Sequence, residues 1–202
     1  AEALTILMRA YARMGLFGRA RGRVAAGLWG WQVLTHPRVP LGLALFMVIL
    51  LGTGSFDGLN ETFLWMGLIG VNPLEFPGRS AVIAQNLTGL VVVNAALIVV
   101  FAACLWMGER IAGARRPIAE AFRLFAPSIL PIALGFHIAH YITVILVEGQ
   151  YVIAWASDQL NTGADLLALG PFHVTTGFFN TPGTVKAIWL TQAGAVVIGH
   201  VI

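Results

Sequence analysis

The 202-residue sequence is 58% hydrophobic and 10% charged, with a mean hydropathy of +0.82. A soluble domain carries about 25% charged residues, so this composition excludes an ordinary water-soluble globule. The formal net charge of +3 comes from basic residues gathered in two clusters beside apolar runs. That placement suits a membrane topology and argues against nucleic acid as a partner.

Residues 1–38 read as a basic amphipathic segment on the cytoplasmic side. Arg9, Arg13, Arg19, Arg21, Arg23 and Arg38 are mixed there with Leu, Met, Phe and Trp. Two readings fit: a stretch lying on the inner leaflet with its arginines on anionic headgroups, or a loop and part of a helix packed on another portion of the protein. The interrupting arginines remove any signal-peptide shape. His36, before Pro37, reads as an interfacial residue at the mouth of the first span.

Residues 39–202 read as an all-α, polytopic transmembrane bundle. A bilayer core of about 30 Å needs roughly 20 apolar residues in a helix. Four runs answer to that: 39–54, 81–107, one within 125–155, and one from 184 past the end of the sequence. Between the first two, 61–70 is apolar but short, which predicts an interfacial or re-entrant helix stopped by Asn72-Pro73. Gly and Pro mark turns around it and in the connection 157–183. No internal repeat is read. Cys104 lies in an apolar run and reads as a packing residue. The fourth run stops at His200-Val201-Ile202 without a polar flank, so the sequence is expected to be an internal piece of a longer polypeptide.

Charge orients the spans. Ten arginines precede span one or lie between spans two and three, whereas Arg79 and Lys186 fall on the other side with Asp57, Glu61, Glu75, Glu148, Asp158 and Asp165. The positive-inside rule then places the N-terminal segment in the cytoplasm and the loops 55–80 and 157–183 outside, in a bacterial inner membrane.

Span three carries the chemistry. Taking His137 as origin and advancing about 100° per residue, His140 falls near −60°, Tyr141 near +40°, Val144 near −20° and Glu148 near +20°. Two imidazoles, a phenol and a carboxylate thus share one stripe of an apolar helix. Imidazoles three apart on a helix face can bind one transition metal, and ionisable groups at membrane depth are costly enough to be functional candidates. The alternative is that they hydrogen-bond between helices and lock the bundle. His200 is the third candidate ligand. Pro127 and Pro131 fit a helix starting near Ile129, which brings His137 to within roughly 4 Å of the depth of His200. Gly135 with Ala139, and Ala195 with Gly199, would let those two backbones approach. Asn86 and Asn94 share an arc of span two and are expected to bond to neighbouring helices. His173 reads as a loop histidine.

The run SFDGLNETFLWMGLIGVNPLEFPGRS at 55–80, with GFHIAHY at 135–141 and the terminal GHVI, resembles a family of bacterial polytopic inner-membrane proteins. Some of its members carry the label fenitrothion-hydrolase-like. The resemblance covers most of the sequence from span one onward and implies organophosphate ester hydrolysis and longer parent chains. It brings no assigned catalytic residues.

Three functions fit these readings. One is an accessory or scaffold subunit of a larger membrane assembly, contacting lipid, other transmembrane subunits or the remainder of its own polypeptide. Another is a metal- or cofactor-binding membrane enzyme with His137, His140 and His200 as ligands and Tyr141 and Glu148 beside them, the metal activating water for ester hydrolysis. The last is a transporter using the His/Glu stripe as a proton or ion relay.

Overall fold

A computed structural model describes residues 2–20, 22–35, 38–75, 78–170 and 174–202. Arg21, His36 and His173 lie outside the described residues. The described structure is helical apart from one small hairpin. Helix α1 (Ala3–Ala12) leads into strands β1 (Phe17–Ala20) and β2 (Arg23–Ala26), antiparallel with Phe17 opposite Ala26 and Ala20 opposite Arg23. This hairpin was not expected from the sequence, whose all-α reading needs that correction. Its turn contains Gly22 at φ +77°, a conformation glycine adopts without steric cost. The carbonyls of Ala12, Gly15 and Phe17 converge on the Gln32 side-chain amide in α2 (Trp31–Thr35), at 3.2, 3.0 and 3.1 Å. One side chain therefore ties the end of α1 and the hairpin to α2.

Helix α3 (Leu41–Leu59) follows Pro40. Thr62 then caps α4 (Phe63–Leu68), its hydroxyl accepting from the Trp65 amide at 3.2 Å. Six residues rise only about 9 Å, so α4 is far too short to cross a bilayer. Two 3₁₀ turns, Pro73–Glu75 and Arg79–Val82, precede the long α5 (Ile83–Ile111). Next come α6 (Ile118–Phe125), a 3₁₀ turn over Ala126–Ile129, and α7 (Leu130–Ser157). Pro127 sits in that turn and Pro131 in the first turn of α7, where a missing N–H costs nothing. The chain ends in α8 (Pro182–Val201).

Among the described residues, three segments are long and apolar enough to cross a membrane: 41–59, 80–111 and 118–157. Helix α8, interrupted by Lys186, Gln192 and His200, is not one of them. Arg38, Arg110, Arg115, Arg116 and Arg123 all fall where these segments meet at one end of the bundle. The buried core lies towards that end, with Met47, Val48 and Ala44 of α3 packed on Phe122, Ala126 and Leu130, joined by Ala10 of α1 and by Met14 just after it.

Two close approaches fix the helix pairs. A Cβ added at Gly135 would meet the Ala195 carbonyl oxygen at 2.6 Å, and one at Gly199 would meet the Pro131 oxygen at 2.6 Å. Helices α7 and α8 are thus antiparallel and in backbone contact at the small residues singled out in the sequence. Gln192 reinforces them by donating to the Ala139 carbonyl at 2.8 Å. Between α3 and α5, Gly52 makes room for Asn94, whose amide donates to Leu90 in its own helix at 2.9 Å while its oxygen stays buried and unpartnered. Of the two asparagines expected to bond to neighbouring helices, Asn86 does so, accepting from Trp65 Nε1 at 2.7 Å.

The connection after α7 repeats itself. Asp158 accepts from the amides of Thr162 (2.8 Å) and Gly163 (2.7 Å), and Asp165 accepts from those of Leu169 and Gly170 (both 2.7 Å). In each turn a non-glycine residue with positive φ, Asn161 or Ala168, precedes a glycine with positive φ. The signal for this repeat was an Asp followed five residues later by Gly, twice, seven residues apart.

Candidate functional site

Helices α3, α5 and α7 enclose a partly open cavity of about 460 Å³ on the side away from the arginine-rich end. Apolar side chains such as Ile83, Leu87 and Leu90 make most of its wall, and a small set of polar groups enters it: Asp57, Asn60, Asn86, His137, His140 and Tyr141. That combination of an apolar shell with few convergent polar groups is the usual make-up of a ligand site. The wall beside α4 is stiffened by Trp65. Its ring meets Phe56 edge-on at 5.1 Å, lies over Gly89, where a Cβ would come within 2.2 Å of it, and bonds to Asn86.

The helical stripe is realised in part. His137, His140 and Tyr141 point into the one cavity. His140 Nε2 is 2.7 Å from Asp57 Oδ2, within hydrogen-bonding distance, so imidazole and carboxylate link helices α7 and α3. The Tyr141 ring stands perpendicular to His140 at 4.8 Å and parallel to His137 at 5.9 Å, joining the two imidazoles. On its other side His137 Nδ1 is hydrogen-bonded to the Tyr11 hydroxyl of α1. The polar groups therefore run as a file from Asp57 through His140, Tyr141 and His137 to Tyr11, with Asp57 near the C-terminal end of α3 and Tyr11 nearest the arginine-rich end.

Glu148 and His200 stand apart. Glu148 lies three turns further along α7, about 16 Å from His137 along the axis, exposed and outside the cavity. His200 lines a separate cavity of about 300 Å³ with Gly30, Pro131 and Gly199. Its Nδ1 is 2.8 Å from the Val196 carbonyl, and its ring lies 6.5 Å from that of Phe136. Since Gly199 abuts Pro131 in an antiparallel pair, His200 is level with residue 130 and sits about two turns from His137, a displacement of roughly 10 Å. Among the described residues no three His, Cys, Asp or Glu side chains gather as a metal site.

Two members of the file were not singled out in the sequence. The first apolar run ends at Gly54 and leaves Asp57 to a loop, whereas α3 continues to Leu59. A carboxylate three residues past an apolar run was the available signal. Tyr11 was hidden in the basic segment, and nothing in its neighbours marks it. No family model matches this chain, nor does any curated protein or solved structure.

Proposed function

We propose that the chain is a multi-pass protein of a bacterial inner membrane that relays protons through its bundle as part of a larger transport assembly. The Asp57–His140 contact on the wall of a cavity between three apolar helices carries this reading. A carboxylate paired with an imidazole at membrane depth costs solvation free energy that packing alone could avoid with apolar residues, and proton pathways are where such pairs belong. Histidine exchanges a proton near neutral pH, which a relay requires. The relay read from the stripe is thereby relocated: Asp57, not Glu148, is the carboxylate.

In this reading α8 is a fourth span, running back along α7 to the arginine-rich end, and that end faces the cytoplasm. The open side of the cavity is closed by lipid, by other transmembrane subunits, or by further segments of the same polypeptide. Ester hydrolysis, which the family resemblance implies, draws less support from the geometry. His140 Nε2 and His137 Nδ1 are each engaged by a neighbouring side chain, and the third histidine belongs to another cavity.

The test is proton flux into vesicles holding the full-length protein and a lumenal pH dye, driven by an imposed potential. Flux is expected from the natural protein and from Glu148→Gln, and is expected to fall to the level of protein-free vesicles in Asp57→Asn and His140→Gln. Equal flux in all four proteins, or none in the natural one, overturns the relay.

A further inference from the structure

At the arginine-rich end, the turn between α5 and α6 folds three arginines around a second polar cavity. It measures about 320 Å³ and is lined by Trp106, Glu109, Arg110, Arg115, Arg116 and Ile118. The three guanidinium groups are in different circumstances. Arg110 lies over the Trp106 ring, 5.2 Å from its centre, a cation–π contact that holds the group against the wall without neutralising it. Arg116 Nε is 3.6 Å from Glu109 Oε1, so that charge is matched. Arg115 is exposed and has no partner among the described residues. Two unmatched guanidinium groups therefore face one cavity, and their planar forks match the geometry of phosphate oxygens.

The position of this cavity says where the phosphate comes from. Helix α5 has 29 residues and is about 43 Å long, against a hydrocarbon core of about 30 Å, so one or both of its ends must emerge among the headgroups. Trp106 is the kind of ring that settles at that boundary. Below it the outward face of α5 exposes Val92, Val99 and Val100, a surface suited to acyl chains. A ligand with an anionic phosphate head and apolar tails satisfies the pocket and the helix face together, whereas free phosphate satisfies only the pocket.

We propose that the α5–α6 arginine pocket binds the headgroup phosphate of an anionic phospholipid. This rests on the reading that α5 crosses a bilayer. Failure of that reading would show separately, as full-length protein recovered without detergent.

The experiment measures lipid retained by the detergent-purified full-length protein in native mass spectrometry, with phosphatidylglycerol and phosphatidylcholine offered equally. Phosphatidylglycerol is expected to be retained preferentially. Arg115→Gln is expected to reduce that retention about fivefold, the effect of one arginine near an anionic surface, and Trp106→Leu to reduce it by unseating Arg110. Arg19→Gln, which removes the same charge from the exposed hairpin, should change nothing. Arg115 is exposed, so its replacement leaves folding intact, and an unchanged melting temperature verifies this. Equal retention of the two lipids, an equal loss in Arg19→Gln, or displacement of the lipid by inorganic phosphate would each overturn the assignment, the last by moving it to a soluble ligand.

Discussion

Asp57 and His140 meet because α3 and α7 run side by side with their polar residues at the same height. Each is about a third exposed or more at its side chain, so the pair is softened by its surroundings and the contact is worth on the order of 1 kcal/mol. Asp57→Ala is therefore expected to lower the thermal stability of the detergent-solubilised protein by about that amount, and His140→Ala by a similar amount. The double variant should lose less than the sum, because each single change already removes the shared contact. Strictly additive losses in that cycle would show that the two side chains do not interact. At this scale the sequence was half legible. Helical geometry put His137, His140 and Tyr141 on one face, since spacing within a helix is local information. Their partners Asp57 and Tyr11 come from other helices, and no periodicity in α7 points to them.

Helix pairing obeys the same division. Gly135 and Gly199 were readable as contact residues because small side chains four apart are the local sign of a close approach, and both abut the opposite backbone. Gly135→Val should destabilise the protein by about 1–3 kcal/mol or more, because the clash is with a carbonyl oxygen that cannot rotate away. Gly194→Ala, in α8 with nothing within 4 Å, should instead be neutral or stabilising by up to about 1 kcal/mol. Comparing melting temperatures of the two variants separates close packing from a general intolerance of side chains. The connection after α7 offers a test by pH. Backbone amides, that of Thr162 foremost, hold the Asp158 carboxyl below the usual range, and the amides of Gly170 and Leu169 do the same for Asp165. A depressed native value means the turns are stabilised above the unfolded-state value of about 3.9 and lose that stabilisation as pH falls through the lower native one. Amides 162, 163, 169 and 170 should accordingly stay protected from hydrogen exchange at pH 5–6, after correction for intrinsic rates, and lose protection only below about pH 4. Loss of protection already at pH 6 would contradict this account. The hairpin of β1 and β2 was not legible, since its four-residue strands are held by Gln32 and a turn rather than by any alternation of polar and apolar residues.

For the whole molecule, composition was the most informative feature. Runs of apolar residues longer than any soluble core requires stand out without knowledge of their neighbours, and three such segments appear where the sequence puts them. The fourth run was harder to judge, because Lys186, Gln192 and His200 dilute it to the edge of what a span tolerates. Packing now supplies an argument that composition could not. Residues 195 and 199 of α8 meet 135 and 131 of α7, so α8 retraces the N-terminal half of a helix that is itself long enough to cross. If α7 crosses with its Arg123 end in the cytoplasm, α8 must bring Val201 back to that side. Single cysteines in a Cys104→Ala background test orientation and span number together. Gln159→Cys reports on the connection after α7, Ala112→Cys on the arginine-rich turn, and Val201→Cys on the end of α8, all three being exposed positions. In right-side-out membranes an impermeant maleimide is expected to label position 159 alone, with 112 and 201 reacting only after the membrane is opened. Labelling of 112 but not 159 would invert the bundle and remove the positive-inside argument with it. Labelling of both 159 and 201 from outside would leave α7 as a span and reduce α8 to a helix that dips into the bilayer without crossing.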